Sequence, residues 1–119
     1  MFLYDNHSIK NIMTRLTEDQ IESIRSDILL DLLKRRKIGN SHTSFDNIQK
    51  GFPSDQRRDV KSIAEDLLNE SFLIPKPTGY GREVSINPSR ISEILEMPLI
   101  NQACNDDPFL EQRIKKYLK

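Results

Sequence analysis

The chain has no tryptophan, one cysteine and only four glycines in its 119 residues. The single cysteine, Cys104, excludes an internal disulfide and suits a reducing compartment. The few glycines build no phosphate-binding loop, because Gly79-Tyr80-Gly81 lacks the Lys-Ser or Lys-Thr that must follow. No apolar run approaches the roughly 20 residues that span a bilayer. Met1 to Leu16 mixes Asp5, His7, Lys10 and Arg15 with apolar residues, so it lacks the continuous apolar stretch of a secretory signal. A cytoplasmic location is the expectation. Charge of one sign is also missing, since 18 basic residues balance 18 acidic ones. That balance excludes bulk coating of nucleic acid, though not a local basic face.

Chemistry-bearing clusters are missing too. His7 and His42 stand far apart with no cysteine or carboxylate at ligand spacing, which speaks against zinc. Cys104 has no nearby histidine, and Asp106 and Asp107 raise its thiol pKa, which speaks against a nucleophile. No Ser-His-Asp or paired-carboxylate arrangement follows from the spacing. The expectation is therefore no catalytic residue, metal, cofactor or small-molecule ligand.

What is present is a chain 36% apolar and 30% charged, with mean hydropathy −0.59. This suits one domain with a modest core and a short extension at each end. Phe2, Ile9, Ile12, Met13 and Leu16 share one side if the N-terminal segment is helical. Thr17-Glu18-Asp19-Gln20 reads as a capping box. Ile21, Ile24, Ile28 and Leu32 then fall on one helical face, widened by Leu29 and Leu33. Lys34-Arg35-Arg36-Lys37 complements the dipole at its end, and Gly39-Asn40 supplies the stop. Ser41-His42-Thr43 has room for one or two residues of strand. Ser44 caps a brief helix that turns Phe45 and Ile48 inward, ended by Gly51 and Pro53. Ser54 caps a third helix, Asp55 to Ser71, carrying Val60, Ile63, Ala64, Leu67 and Leu68 at helical spacing.

The period then switches. Phe72-Leu73-Ile74-Pro75-Lys76-Pro77 reads as an edge strand, since neither proline can donate to a central ladder. Thr78-Gly79-Tyr80-Gly81 is a turn, and Arg82 to Ile86 alternates with Val84 and Ile86 on one face. Asn87-Pro88 starts another helix, with Ile91, Ile94 and Leu95 inward and Pro98 as its stop. A loop holding Cys104 follows. Asp107-Pro108 then opens a terminal helix with Leu110, Ile114 and Tyr117 on one side.

This order of helix, short link, short helix, tight turn, longer helix, hairpin and helix resembles the winged helix-turn-helix superfamily of prokaryotic regulators. Asp66-Leu67-Leu68-Asn69-Glu70-Ser71-Phe72-Leu73-Ile74 looks like a recognition helix running into a first wing strand. Gly79-Tyr80-Gly81-Arg82-Glu83-Val84-Ser85-Ile86-Asn87-Pro88 looks like the wing tip, the second strand and the next helix start. The resemblance covers Thr17 to Met97 and is one of pattern. It implies an α+β, mainly α fold: a three-helix core plus a two-stranded wing over 17–97. Helical extensions flank it over 1–16 and, after a loop, 98–119.

The resemblance also implies a transcriptional regulator that lays its third helix in the DNA major groove and its wing along the backbone. Carried onto this chain, Gln56, Arg57, Arg58, Lys61 and Ser62 face bases and phosphates of double-stranded DNA, with Lys76, Tyr80 and Arg82 on the wing. Asp55, Asp59, Glu65 and Asp66 are interleaved with those donors and oppose phosphate. The alternative is a solvated face with Arg57, Arg58 and Lys61 paired to Asp59 and Glu65. A nearly neutral third helix is also what a winged helix used for protein contacts in a larger assembly carries. The Lys34 to Lys37 run reads as dipole compensation before phosphate binding. Tyr80 either touches a backbone sugar or folds over Pro77. Leu30, opposite its helix's core side, needs a cover. So do the stripes of Ile9, Ile12 and Leu16 and of Leu110, Ile114 and Tyr117. Either both extensions pack on their own domain, or they pair two copies into a homodimer, which suits a palindromic site.

Overall fold

In the computed structural model, which describes residues 16–79 and 81–118, helix α1 (Glu18–Lys34) begins at the capping box. The Thr17 hydroxyl accepts from the Gln20 N–H at 3.1 Å, and the Gln20 side chain accepts from the Thr17 N–H at 2.8 Å. Ile21, Ile24, Ile28, Leu29, Leu32 and Leu33 are all buried, as their spacing predicts. The stop differs from the expected Gly39-Asn40. Arg36 adopts a left-handed φ of 60°. The Arg36 and Lys37 N–H groups donate to the Leu33 and Leu32 carbonyls. This is a Schellman closure completed before Gly39 is reached, and without glycine.

Strand β1 (Thr43–Ser44) and helix α2 (Asp46–Lys50) follow. Ser44 Oγ accepts from the Asp46 N–H at 3.3 Å, and Phe45 and Ile48 are buried. Ser54 does not cap the third helix. Extended Pro53 leads into a 3-10 turn (Ser54–Gln56), and helix α3 (Arg57–Asn69) starts behind it with no side-chain cap. Val60, Ile63, Ala64 and Leu67 of α3 are buried in the same apolar cluster as the α1 face.

Helix α3 closes as α1 does. Ser71 has φ 66°, and the Ser71 and Phe72 N–H groups donate to the Leu68 and Leu67 carbonyls. An L-residue held left-handed costs roughly 1–2 kcal/mol, partly offset by the greater chain entropy that glycine loses on folding. Ser71→Gly therefore stabilises the fold by about 0.5–1 kcal/mol and raises Tm by a few degrees. Calorimetry checks this; an unchanged or lower Tm contradicts it.

Strands β2 (Leu73–Thr78) and β3 (Gly81–Ile86) pair antiparallel from Leu73 opposite Ile86 to Thr78 opposite Gly81. On the far side of β3, Thr43 pairs with Val84 and Ser44 with Glu83. The described sheet thus has order β1-β3-β2: the expected two-stranded hairpin is joined by a two-residue strand from the link after α1, where there was room for one. Pro75 and Pro77 sit two apart on edge strand β2, so both missing N–H groups fall on one side. Ser85 is buried as well as Val84 and Ile86, which breaks the expected alternation. The cause is the segment after α1, which runs beside β3. Ile38 bridges Ile86, and Ser85 Oγ donates to the Gly39 carbonyl at 2.7 Å.

Asn87 Oδ1 accepts from the Ser89 N–H at 3.1 Å, ahead of a 3-10 turn (Pro88–Arg90) and helix α4 (Ile91–Leu95). The expected loop around Cys104 is instead helix α5 (Pro98–Asp106). Pro98 begins that helix, where its missing N–H costs nothing, and Ile100 and Cys104, one turn apart, are buried. Asp107 Oδ1 accepts from the Leu110 N–H at 3.2 Å and caps helix α6 (Pro108–Lys115). Leu110 and Ile114 are each 1% exposed, and Tyr117 packs half-buried against the same core. This corrects the assignment of Leu110 and Ile114 to a dimer surface. α5, which the sequence does not announce, helps to close their stripe within one chain. Ile100, Cys104, Leu110 and Ile114 share a single core with α1, α3 and β3. The fold is α+β, mainly helical, with an antiparallel three-stranded sheet. Among the described residues no helix is long and apolar enough to cross a membrane.

Candidate nucleic-acid interface

Packing on α1 fixes which side of α3 faces out. With Val60, Ile63, Ala64 and Leu67 inward, the helical period turns Arg58, Ser62, Glu65 and Asn69 away, with Arg57 and Lys61 on a shoulder. Arg57, Arg58, Lys61 and Asn69 are exposed, and Ser62 and Glu65 are half-buried. Gln56, in the turn before the helix, is exposed as well. Arg57 Nε donates to the Phe52 carbonyl at 3.2 Å, which ties its side chain back toward the α2–α3 turn.

The acids interleaved with these donors sort to different places. Asp59 and Asp66 are 6% and 3% exposed. Asp59 therefore lies on the inward-packing side of α3 and not on a solvated face. Glu65 stays at the surface, but Arg82 takes its carboxylate with both prongs. Nη1 donates to Oε1 at 3.0 Å and Nη2 to Oε2 at 2.6 Å. The same guanidinium lies over the Phe45 ring, 4.2 Å from its centroid. A planar fork matched to a carboxylate and stacked on an aromatic face is a geometry lysine cannot reproduce. The Arg82 hydrogen bonds hold the Glu65 carboxyl below the usual glutamate range against the opposing effect of partial burial. It is therefore ionised at neutral pH. Asp55 is left as the exposed acid of the original four that no such fork engages.

Lys61 and Arg82 meet in one groove of about 320 Å³ between α3 and the hairpin. Thr78, Gly81 and Ser44 also line it, along with the acids Asp46 and Glu83. Glu83 lies 3.8 Å from His42 Nδ1. Arg82, expected as a wing donor, is thus engaged with Glu65 and Phe45. Lys76 is exposed on the outer strand. Tyr80 lies outside the described residues. Spacing alone gave no positive role to Glu65 or Asn69. Both repeat at helical intervals from Arg58 and Ser62, a signal that was available.

Of the residues expected to pair two copies, Ile9 and Ile12 lie outside the described residues. So do Phe2, His7 and Met13 of the same segment. Leu16 and Leu30 are half-buried against the core. They line a concavity of about 620 Å³ with Ile24, Ile48, Phe52 and the carboxylates of Asp27, Asp31 and Asp59. Partial burial raises the Asp27 carboxyl there, against the lowering effect of Lys34. Leu30 is therefore partly covered by its own chain. At the C-terminal end, burial first, then Glu111 and Asp107, push the Cys104 thiol up, which favours its protonated form. Comparison of the chain with protein-family models, curated proteins and solved structures finds no match.

Proposed function

We propose that this chain is a winged helix-turn-helix protein that binds double-stranded DNA and regulates transcription. α3 lies in the major groove and the β2–β3 hairpin lies along the backbone. The order of helix, strand, helix, helix, strand, strand and the sheet order β1-β3-β2 support that assignment. The observation that carries the DNA reading is the sorting of charge on α3. Asp59 and Asp66 turn inward and Arg82 neutralises Glu65, while Arg57, Arg58 and Lys61 stay exposed. A net charge of zero for the whole chain is compatible with these exposed cations acting as a local basic face. Arg58, Lys61, Gln56 and Ser62 make the base and phosphate contacts. Arg57 and Lys76 make phosphate contacts only.

Fluorescence anisotropy with a labelled duplex tests this. Binding is tight at about 50 mM salt and falls with a shallow log–log slope of roughly −3 to −4 per chain, since four exposed cations face the phosphates. Absence of binding at that salt overturns the reading. A second reading, a winged helix that contacts protein, is favoured by the concavity at Leu16 and Leu30, where apolar and acidic side chains adjoin. A stable partner recovered without any retention on a DNA column selects it.

A further inference from the structure

Glu65 is the side chain that the DNA reading least expects, an acid on the helix face that meets the groove. Its geometry gives it a task. A carboxylate offers about four lone-pair positions and no donor. Arg82 occupies one on each oxygen, at 3.0 and 2.6 Å. The glutamate side chain remains 38% exposed, so its outer lone pairs reach solvent on the stripe shared with Arg58 and Ser62. Stacking on Phe45 fixes the guanidinium, and the guanidinium fixes the carboxylate. The rotamer freedom that a glutamate normally loses on binding is already lost in the free protein. The partner charge offsets repulsion from phosphate.

A fixed acceptor in the major groove discriminates among bases. Guanine presents N7 and O6 and thymine presents O4, all acceptors that repel it. Adenine offers its N6 amino group beside the N7 acceptor. Cytosine offers the N4 amino group with no acceptor next to it. We propose that Glu65 is a specificity determinant, a carboxylate set by Arg82 and Phe45 to accept a hydrogen bond from the N4 amino group of one cytosine in the major groove. Arg82 is then a positioning residue. The inference rests on the DNA reading and adds the class of sequence recognised.

Selection from a random-sequence duplex library, with wild type, Glu65→Gln and Arg82→Ala, tests it. The wild-type motif contains one required cytosine, and its replacement weakens binding about tenfold or more. Glu65→Gln shifts the preferred base at that position to adenine, because an amide pairs with N6 and N7 together. Arg82→Ala blurs the preference at that position and leaves the rest of the motif intact. A wild-type motif with no required cytosine, or one unchanged by Glu65→Gln, overturns this inference and leaves DNA binding standing. Failure of the wild type to retain any duplex overturns both. A required C·G pair is equally read through its guanine by Arg58 or Lys61, so the assignment to Glu65 is decided by the Glu65→Gln shift, an isosteric change outside the apolar core that leaves the fold in place.

Discussion

Leu110→Ala lowers the unfolding free energy by about 2–5 kcal/mol, and by the same amount in dilute and in concentrated solution. Leu110 is 1% exposed, so its truncation leaves a cavity that the closely packed α5 and α6 can fill only in part. A domain of this size has only about 5–15 kcal/mol in total, and Tm falls by roughly 10–20 °C. Concentration separates this packing from packing between chains. A stripe buried within one chain gives a denaturation midpoint that does not move over a hundredfold dilution. A stripe buried between two chains gives a midpoint that rises with concentration. Urea titrations of wild type and variant at two concentrations read both effects. A wild-type midpoint that climbs with concentration, and a variant that abolishes the climb, would return α6 to a dimer interface.

Arg58→Ala combined with Lys61→Ala weakens duplex binding roughly a hundredfold at about 0.1 M salt. Both side chains are exposed, so the thermal transition stays within a degree or two of wild type. The log–log salt slope becomes shallower by about 2, one unit for each cation removed. Removing the same charge at Lys34 and Arg35 serves as the comparison. Arg35 already pairs with Asp31 at 2.9 Å, and the run belongs to the end of α1, where it complements the dipole. Loss of those two changes affinity less than about threefold. Anisotropy titrations over a salt series measure all of this. Equal losses from the two pairs would mean that attraction is spread over the whole surface and that α3 has no special role.

Much of the fold was legible where one local rule acts alone. Thr17 and Gln20 announce α1, Gly51 and Pro53 end α2, and Asn87-Pro88 opens the turn into α4. The change of period at Phe72, with two prolines behind it, places the edge strand correctly. Where a signal has two meanings, local sequence does not choose between them. Pro98 follows α4 closely enough to look like its stop, yet it is the first residue of α5. Asn101, Gln102, Asn105 and Asp106 around Cys104 make that helix look like a polar loop. The ends of α1 and α3 are set by tertiary geometry, which holds Arg36 and Ser71 left-handed although glycine is the usual choice there.

The candidate site was half legible for the same reason. Helical period alone turned Arg58, Ser62 and Glu65 outward. It could not bury Asp59 and Asp66, which lie on a flank whose fate depends on neighbouring elements. It could not bring Arg82 to Glu65 either. The two are 17 residues apart, and a hairpin has to fold back before they meet.

The two prolines of the outer strand have a consequence beyond marking an edge. A sheet rim with its amides intact is a template on which identical chains stack without limit. Here one rim is only two residues long, and the other is missing its hydrogen donors at two alternate positions. Growth by strand addition finds no continuous ladder on either side. The molecule can carry a small, twisted ribbon at high concentration and still not polymerise through it.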